Sequence, residues 1–201
     1  METWVRTDEE EDVAGSIRHV IRTAGFEGDD PQAWKWVVVA LHSALQGACV
    51  CHLTTTAAPV GAVKKKNAIE WLDYFDRSRT DPIATPPKTD LMGFLDLLKE
   101  VRKPNSAGGA SSLTRIPITD SELNWLTRFH TEIRNQFTHF EPVGWSIDMA
   151  GIPEIAKLIA RIIEDILDAG WAFRHRGAEQ RTDLRRSLHN LAAMEWPIGG
   201  A

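Results

Sequence analysis

The stretch Thr119-Asp120-Ser121-Glu122-Leu123-Asn124-Trp125-Leu126-Thr127-Arg128-Phe129-His130-Thr131-Glu132-Ile133-Arg134-Asn135-Gln136-Phe137-Thr138-His139-Phe140 reads as a single amphipathic helix. Thr119 and Glu122 stand three apart, the spacing at which a hydroxyl and a carboxylate satisfy each other's free backbone N–H groups in a capping box. From there Leu123, Leu126, Phe129, Ile133, Phe137 and Phe140 recur at steps of three and four, which places them on one stripe of a helix and not on one face of a strand. Pro142 and Gly144 end it. Downstream of Pro153, Ile155, Leu158, Ile159, Ile162, Ile163, Ile166 and Leu167 predict a second long amphipathic helix, running on toward His175.

Upstream the same period recurs. The acidic run Asp8 to Asp12 suits a helix start, and Val13, Ile17, Val20 and Ile21 supply its stripe before Gly25 and Gly28 stop it. Asp29-Asp30-Pro31 predicts a restart, with an Asp cap and Pro in the first turn. Val37, Val38, Leu41, Leu45, Ala48 and Cys51 or His52 then mark a long helix, apolar on most sides and so central. Thr54 to Val63 reads as a loop. Lys64-Lys65-Lys66-Asn67 opens a helix with Ile69, Leu72 and Phe75 as its expected core face, and Trp71 beside them. After the loop Asp81 to Lys88, Thr89 or Asp90 is expected to cap a helix carrying Leu91, Phe94, Leu95 and Leu98, which Pro104 ends. Asn105 to Ser112 is low-complexity and reads as an insertion within one domain. Taken together, the pattern predicts an all-α helical bundle with long amphipathic helices and extra terminal helices, over residues 1–201 as a single domain.

A chain of 201 residues can bury a real core, and 43% hydrophobic with 25% charged residues is ordinary for a globular protein. Eight Trp against one Tyr points to helix packing or a partner surface. A net charge of −5 argues against a general nucleic-acid coat, whose binding is electrostatic, but leaves room for a local basic patch. Cys49 and Cys51 are the only cysteines and face different ways on a helix, so no disulfide framework is expected. His42 and His52 lie near them, but the paired spacing of a zinc site is missing, so all four are expected in the core and no metal or cofactor is assigned. The N-terminus lacks the features of a signal peptide, and the apolar window Trp36 to Leu53 is interrupted by His42, Gln46 and His52. A core helix, no membrane span and a cytoplasmic location are expected.

The chemistry concentrates at Arg134, Asn135 and His139. A guanidinium offers a planar fork of donors to phosphate and stays charged, while an imidazole moves protons near neutrality. The string Arg134-Asn135-Gln136-Phe137-Thr138-His139 resembles the signature of HEPN domains, an Arg followed by a polar residue with a His four to six positions beyond the Arg. The resemblance covers about residues 30–175, with an acidic N-terminal and a basic C-terminal helix as extensions. It implies a helical bundle, often dimeric, and in many members a metal-independent endoribonuclease leaving 2′,3′-cyclic phosphate and 5′-hydroxyl ends. On that basis Arg134 is the phosphate clamp, His139 the general acid/base and Asn135 an orienting group. His130, Glu132 and Thr138 are possible contributors. Arg181, Arg185 and Arg186 in the tail are candidate RNA contacts, and a toxin or antiphage role with an antitoxin or a nucleotidyltransferase-like partner follows from the same resemblance.

One difficulty is visible in the spacing. On a straight helix, Arg134 and His139 lie about 140° apart, on opposite flanks of the apolar stripe. Either the helix bends or ends near Asn135, or two protomers share the site. Two other readings compete. Arg134 could pair with an acid while His139 finishes a helix, or the chain could be a non-catalytic HEPN-like scaffold that binds a partner protein.

Overall fold

A computed structural model describes Trp4 and residues 7–26, 30–56, 59–108, 115–139 and 144–196. Its helices are α1 (Glu9–Thr23), α2 (Ala33–Leu53), α3 (Lys65–Ser78), α4 (Phe94–Val101), α5 (Asp120–Arg128), α6 (Asn135–Thr138), α7 (Ile152–Asp168) and α8 (Ala178–Ala193), with a π-helical segment, Phe129–Arg134, joining α5 to α6. Among the described residues there is no strand, only one isolated antiparallel bridge between Val63 and Leu91. The chain is an all-α bundle.

The order of packing follows from which helices are apolar on more than one side. α2 has Val37, Leu41, Leu45, Ala48 and Cys49 at 0% exposure and touches α1, α7, α4 and the π-helical segment. α1 packs on α2, α2 on α7, α7 on α8 and α8 back on α1, so four helices close a ring around one core. The close approach of α1 is possible because position 47 is glycine: a Cβ there would stand 2.9 Å from Val13 Cγ2. α2 is long and apolar enough to cross a membrane, yet most of it is buried within the bundle. The terminal helices lie in the same core, through Val13, Ile17 and Val20 on α1 and Leu184, Leu188 and Leu191 on α8. Trp196, after α8, stacks on Trp34 at 5.6 Å.

Local signals behave as their chemistry dictates. Thr119 and Glu122 form the capping box, with Glu122 N–H donating to Thr119 Oγ1 at 3.2 Å and Thr119 N–H to Glu122 Oε2 at 2.8 Å. Arg161 then ties this helix start to α7, donating to Glu122 Oε1 at 3.0 Å, Asp165 Oδ2 at 2.7 Å and the Pro117 carbonyl at 3.0 Å. Asp8 caps α1 by accepting from Glu11 N–H at 2.8 Å.

Four expectations are corrected. α2 begins at Ala33, because Asp30 uses its carboxylate to close a turn onto Gln32 N–H at 2.9 Å and does not cap the helix directly. The expected core face of α3 is not covered: Ile69 and Leu72 are each 53% exposed, and Asn67 is the one buried residue of that helix. Asn67 instead fastens the following segment, donating to the Lys88 carbonyl and accepting from Asp90 N–H. That segment runs extended, with Lys64 N–H on the Asp90 carbonyl and Met92 N–H on the Ala62 carbonyl, so Leu91 belongs to the bridge and α4 starts only at Phe94, capped by Gly93. α7 stops at Asp168, where Gly170 takes a left-handed backbone (φ 76°), and does not reach His175. Phe140, Pro142 and Gly109 to Ser112 lie outside the described residues.

Candidate functional site

The helix that carries the motif is not regular. Across Phe129–Arg134 it widens to π geometry, with the Asn135 N–H donating to the His130 carbonyl five residues back. α-Helical bonding resumes for one turn and stops at Thr138; His139, at φ −118° and ψ 92°, is already off the helix. The π turn therefore runs up to Arg134, the four residues between Arg134 and His139 are α-helical, and the helix ends at His139. Single π turns of this kind cost backbone regularity and recur at functional sites.

Widening also decides what surrounds His130. It comes against α2, where His130 Nδ1 and His42 Nε2 share one hydrogen at 2.9 Å, and the Phe94 ring lies 4.1 Å from the His42 ring and 5.1 Å from that of His130. His42 is 3% exposed. Burial first, then the charges of Arg134 and His130, push its pKa down to about 3. His130 is half-buried and shifted the same way by burial, Arg134 and His139. Both imidazoles are therefore neutral near pH 7, which leaves one N–H and one lone pair to make their mutual bond.

Arg134 is half-buried, and among the described residues its side chain makes one hydrogen bond, from Nη1–H to Asn135 Oδ1 at 3.1 Å. Among the described residues no carboxylate pairs with it. Asn135 thereby orients the guanidinium. His139 is exposed. The other contributors are placed less centrally: Glu132 is exposed and pairs with Arg128 at 3.1 Å, and Thr138 Oγ–H is turned back to the Arg134 carbonyl at 3.2 Å.

Arg134 and His42 open onto a groove of about 1040 Å³. Its floor is one face of α2, from Val39 through His42, Gln46 and Val50 to Thr54, and its walls come from the start of α1, from Trp71 and from the bridge residue Leu91. At the far end stand Arg174 and His175. Arg174 is not among the arginines that the sequence singles out, and nothing in its spacing relates it to α2. The tail arginines lie elsewhere. Arg185 is bound to Glu164 and Asp168 and Arg186 to Asp183, while Arg181 is exposed without an ion pair among the described residues.

The four side chains with metal-ligand chemistry on α2, His42, Cys49, Cys51 and His52, are all buried. Cys49 and Cys51 are buried thiols, and burial pushes Cys51 up to about 12. His52 is fully buried and bonded through Nε2 to Ser106 Oγ at 2.9 Å. Among the described residues no three His, Cys, Asp or Glu side chains converge. No family model, curated protein or solved structure matches this chain.

Proposed function

We propose that the chain is a HEPN-like, metal-independent endoribonuclease in which Arg134 and His139 carry the chemistry. The observation that bears most weight is the half-buried Arg134, without a carboxylate partner among the described residues, at the end of a π-helical turn, held by Asn135 and flanked by His130 and the helix end at His139. An uncompensated guanidinium beside neutral imidazoles is an arrangement suited to a phosphodiester. In the reaction the RNA 2′-oxygen bonds to the neighbouring phosphorus as the P–O5′ bond breaks. One imidazole accepts the 2′-hydroxyl proton and one protonates the departing 5′-oxygen. In this reading His139 serves one of these steps and His130 the other, while Arg134 stabilises the charge that builds on the phosphorane. The products are a 2′,3′-cyclic phosphate and a 5′-hydroxyl. A homodimer would set a second motif beside the first, and a toxin or antiphage role with an antitoxin or nucleotidyltransferase-like partner is part of the same reading. The test is incubation of a mixed tRNA and mRNA pool with purified protein in EDTA. Wild type should cut, and Arg134→Ala and His139→Ala should lose at least about a hundredfold in rate. Full activity in Arg134→Ala refutes the assigned mechanism.

A second reading is supported by α3. Ile69 and Leu72 present an apolar face to solvent with Trp71 alongside, which suits a non-catalytic HEPN-like module that holds a partner protein. In that case His139→Ala leaves partner affinity unchanged and no RNA is cut.

A further inference from the structure

Among the described residues six arginines are half-buried: Arg102, Arg134, Arg161, Arg174, Arg176 and Arg185. Four of them have carboxylate partners: Arg102 with Asp120, Arg161 with Glu122 and Asp165, Arg176 with Asp8 and Glu10, and Arg185 with Glu164 and Asp168. The two without a carboxylate partner among the described residues are Arg134 and Arg174, and both line the same groove. Taking a cation partly out of water without a counter-ion is unfavourable, so a protein that neutralises every other half-buried guanidinium leaves these two for an anion it does not itself supply.

Arg174 is built to be held and not neutralised. Its guanidinium lies over the Trp171 ring at 3.9 Å, and Nη1 and Nη2 donate to the carbonyls of Trp171 and Thr55 at 3.1 and 3.4 Å. Nε has no acceptor. The preceding residue, Phe173, adopts a left-handed backbone (φ 59°) that a bulky side chain rarely takes, and it buries its ring while Arg174 lines the groove. Trp71, on the wall, has an indole N–H without a partner as well. The groove also carries Asp8, Glu9, Glu10 and Asp12 on the wall formed by the start of α1. Its acidic wall is already engaged in part, since Asp8 and Glu10 hold Arg176 and Asp12 accepts from Ser43 Oγ.

Arg134 lies beside His42 and Arg174 beside Thr55, and the twelve residue steps from His42 to Thr54 along α2 and its C-cap amount to a rise of about 18 Å. That exceeds the distance between neighbouring phosphates. We infer that Arg174 is a second phosphate-binding residue, and that the ligand of the groove is a single-stranded RNA of several nucleotides, cut at Arg134 and anchored at Arg174. This rests on the ribonuclease reading, and it assigns Arg174 a positioning role, not a chemical one.

The test measures binding and cleavage separately. Fluorescent 2′-O-methyl oligouridylates, which have no attacking hydroxyl, are titrated against wild type, Arg174→Gln and Arg174→Lys, with helicity checked by circular dichroism. Wild type should bind a longer oligonucleotide more tightly than a dinucleotide, and the logarithm of affinity should fall with the logarithm of salt at a slope of about −1.4, for two phosphate contacts on a single strand. Arg174→Gln should lose the gain with length and show a slope of about −0.7, while Arg174→Lys should keep most of the gain. In cleavage, Arg174→Gln should raise KM about tenfold on long substrates and leave kcat unchanged. Equal affinity and slope in wild type and Arg174→Gln overturn the inference, and if wild type still cuts RNA the ribonuclease reading survives it. Absence of length dependence in wild type overturns the inference even if neither variant folds. Absence of both binding and cleavage removes the two together.

Discussion

Acid should unfold this protein partly through His42, and the size of the effect can be worked out. The imidazole is 3% exposed and its folded pKa is held at about 3, against 6.5 in the unfolded chain. A depressed histidine contributes its full stabilisation above the unfolded pKa and loses it as pH falls toward the folded one, because between those values the unfolded state binds a proton that the folded state refuses. Going from about pH 7.5 to about pH 5, the unfolded form gains roughly a thirtyfold protonation factor and the folded form almost none, which is about 2 kcal/mol of lost stability from this one group. His42→Gln removes the titration while its amide can still bond His130 Nδ1. Urea denaturation of both proteins across this range is the assay. At about pH 7.5 the variant should be the less stable, and the difference should shrink by about 2 kcal/mol at about pH 5. A difference that stays constant across that range refutes the claim that His42 is a neutral imidazole in the core.

Three further outcomes follow from the packing. His52, fully buried with its pKa pushed down to about 4, should add a comparable acid sensitivity that His52→Gln relieves, read in the same titration. Arg161→Ala breaks the tie between the α5 capping box and α7 and should cost about 1–2 kcal/mol after allowance for solvent screening, seen as a drop of several degrees in thermal melting; an unchanged Tm would show that the three bonds are not formed. Ile69→Gln and Leu72→Gln together should leave Tm within about 1 °C, since both side chains are more than half exposed; a large loss would mean that this face is buried in a partner or a second copy.

The bundle was legible in the sequence because its signals are local or periodic. The Thr119–Glu122 capping box needs only four residues, and the stripes of α1, α2 and α7 repeat often enough to define their faces. Periodicity says which side of a helix is apolar but not whether anything covers it, which is why Ile69 and Leu72 on α3 were expected in the core. Leu91 was drawn into a helix because extended chain next to a helical stripe leaves no mark that Asn67, more than twenty residues away, would recognise. Arg134 and His139 were identifiable as a motif, yet the π-helical turn that runs up to Arg134 and the helix end at His139 leave no periodic mark in the sequence. His42 and His130 are 88 positions apart, and their shared hydrogen has no sequence signal. Arg174 could only be found by asking which half-buried cations lack a carboxylate, a question that requires coordinates.

The most direct measurement is the chemistry of the RNA ends made in EDTA by wild type, Arg134→Ala and His139→Ala. The account predicts 3′ fragments that begin with a 5′-hydroxyl and 5′ fragments that end in a 2′,3′-cyclic phosphate, produced by wild type alone. Fragments with 5′-phosphates and 3′-hydroxyls, or cyclic-phosphate ends formed equally well by His139→Ala, would contradict it.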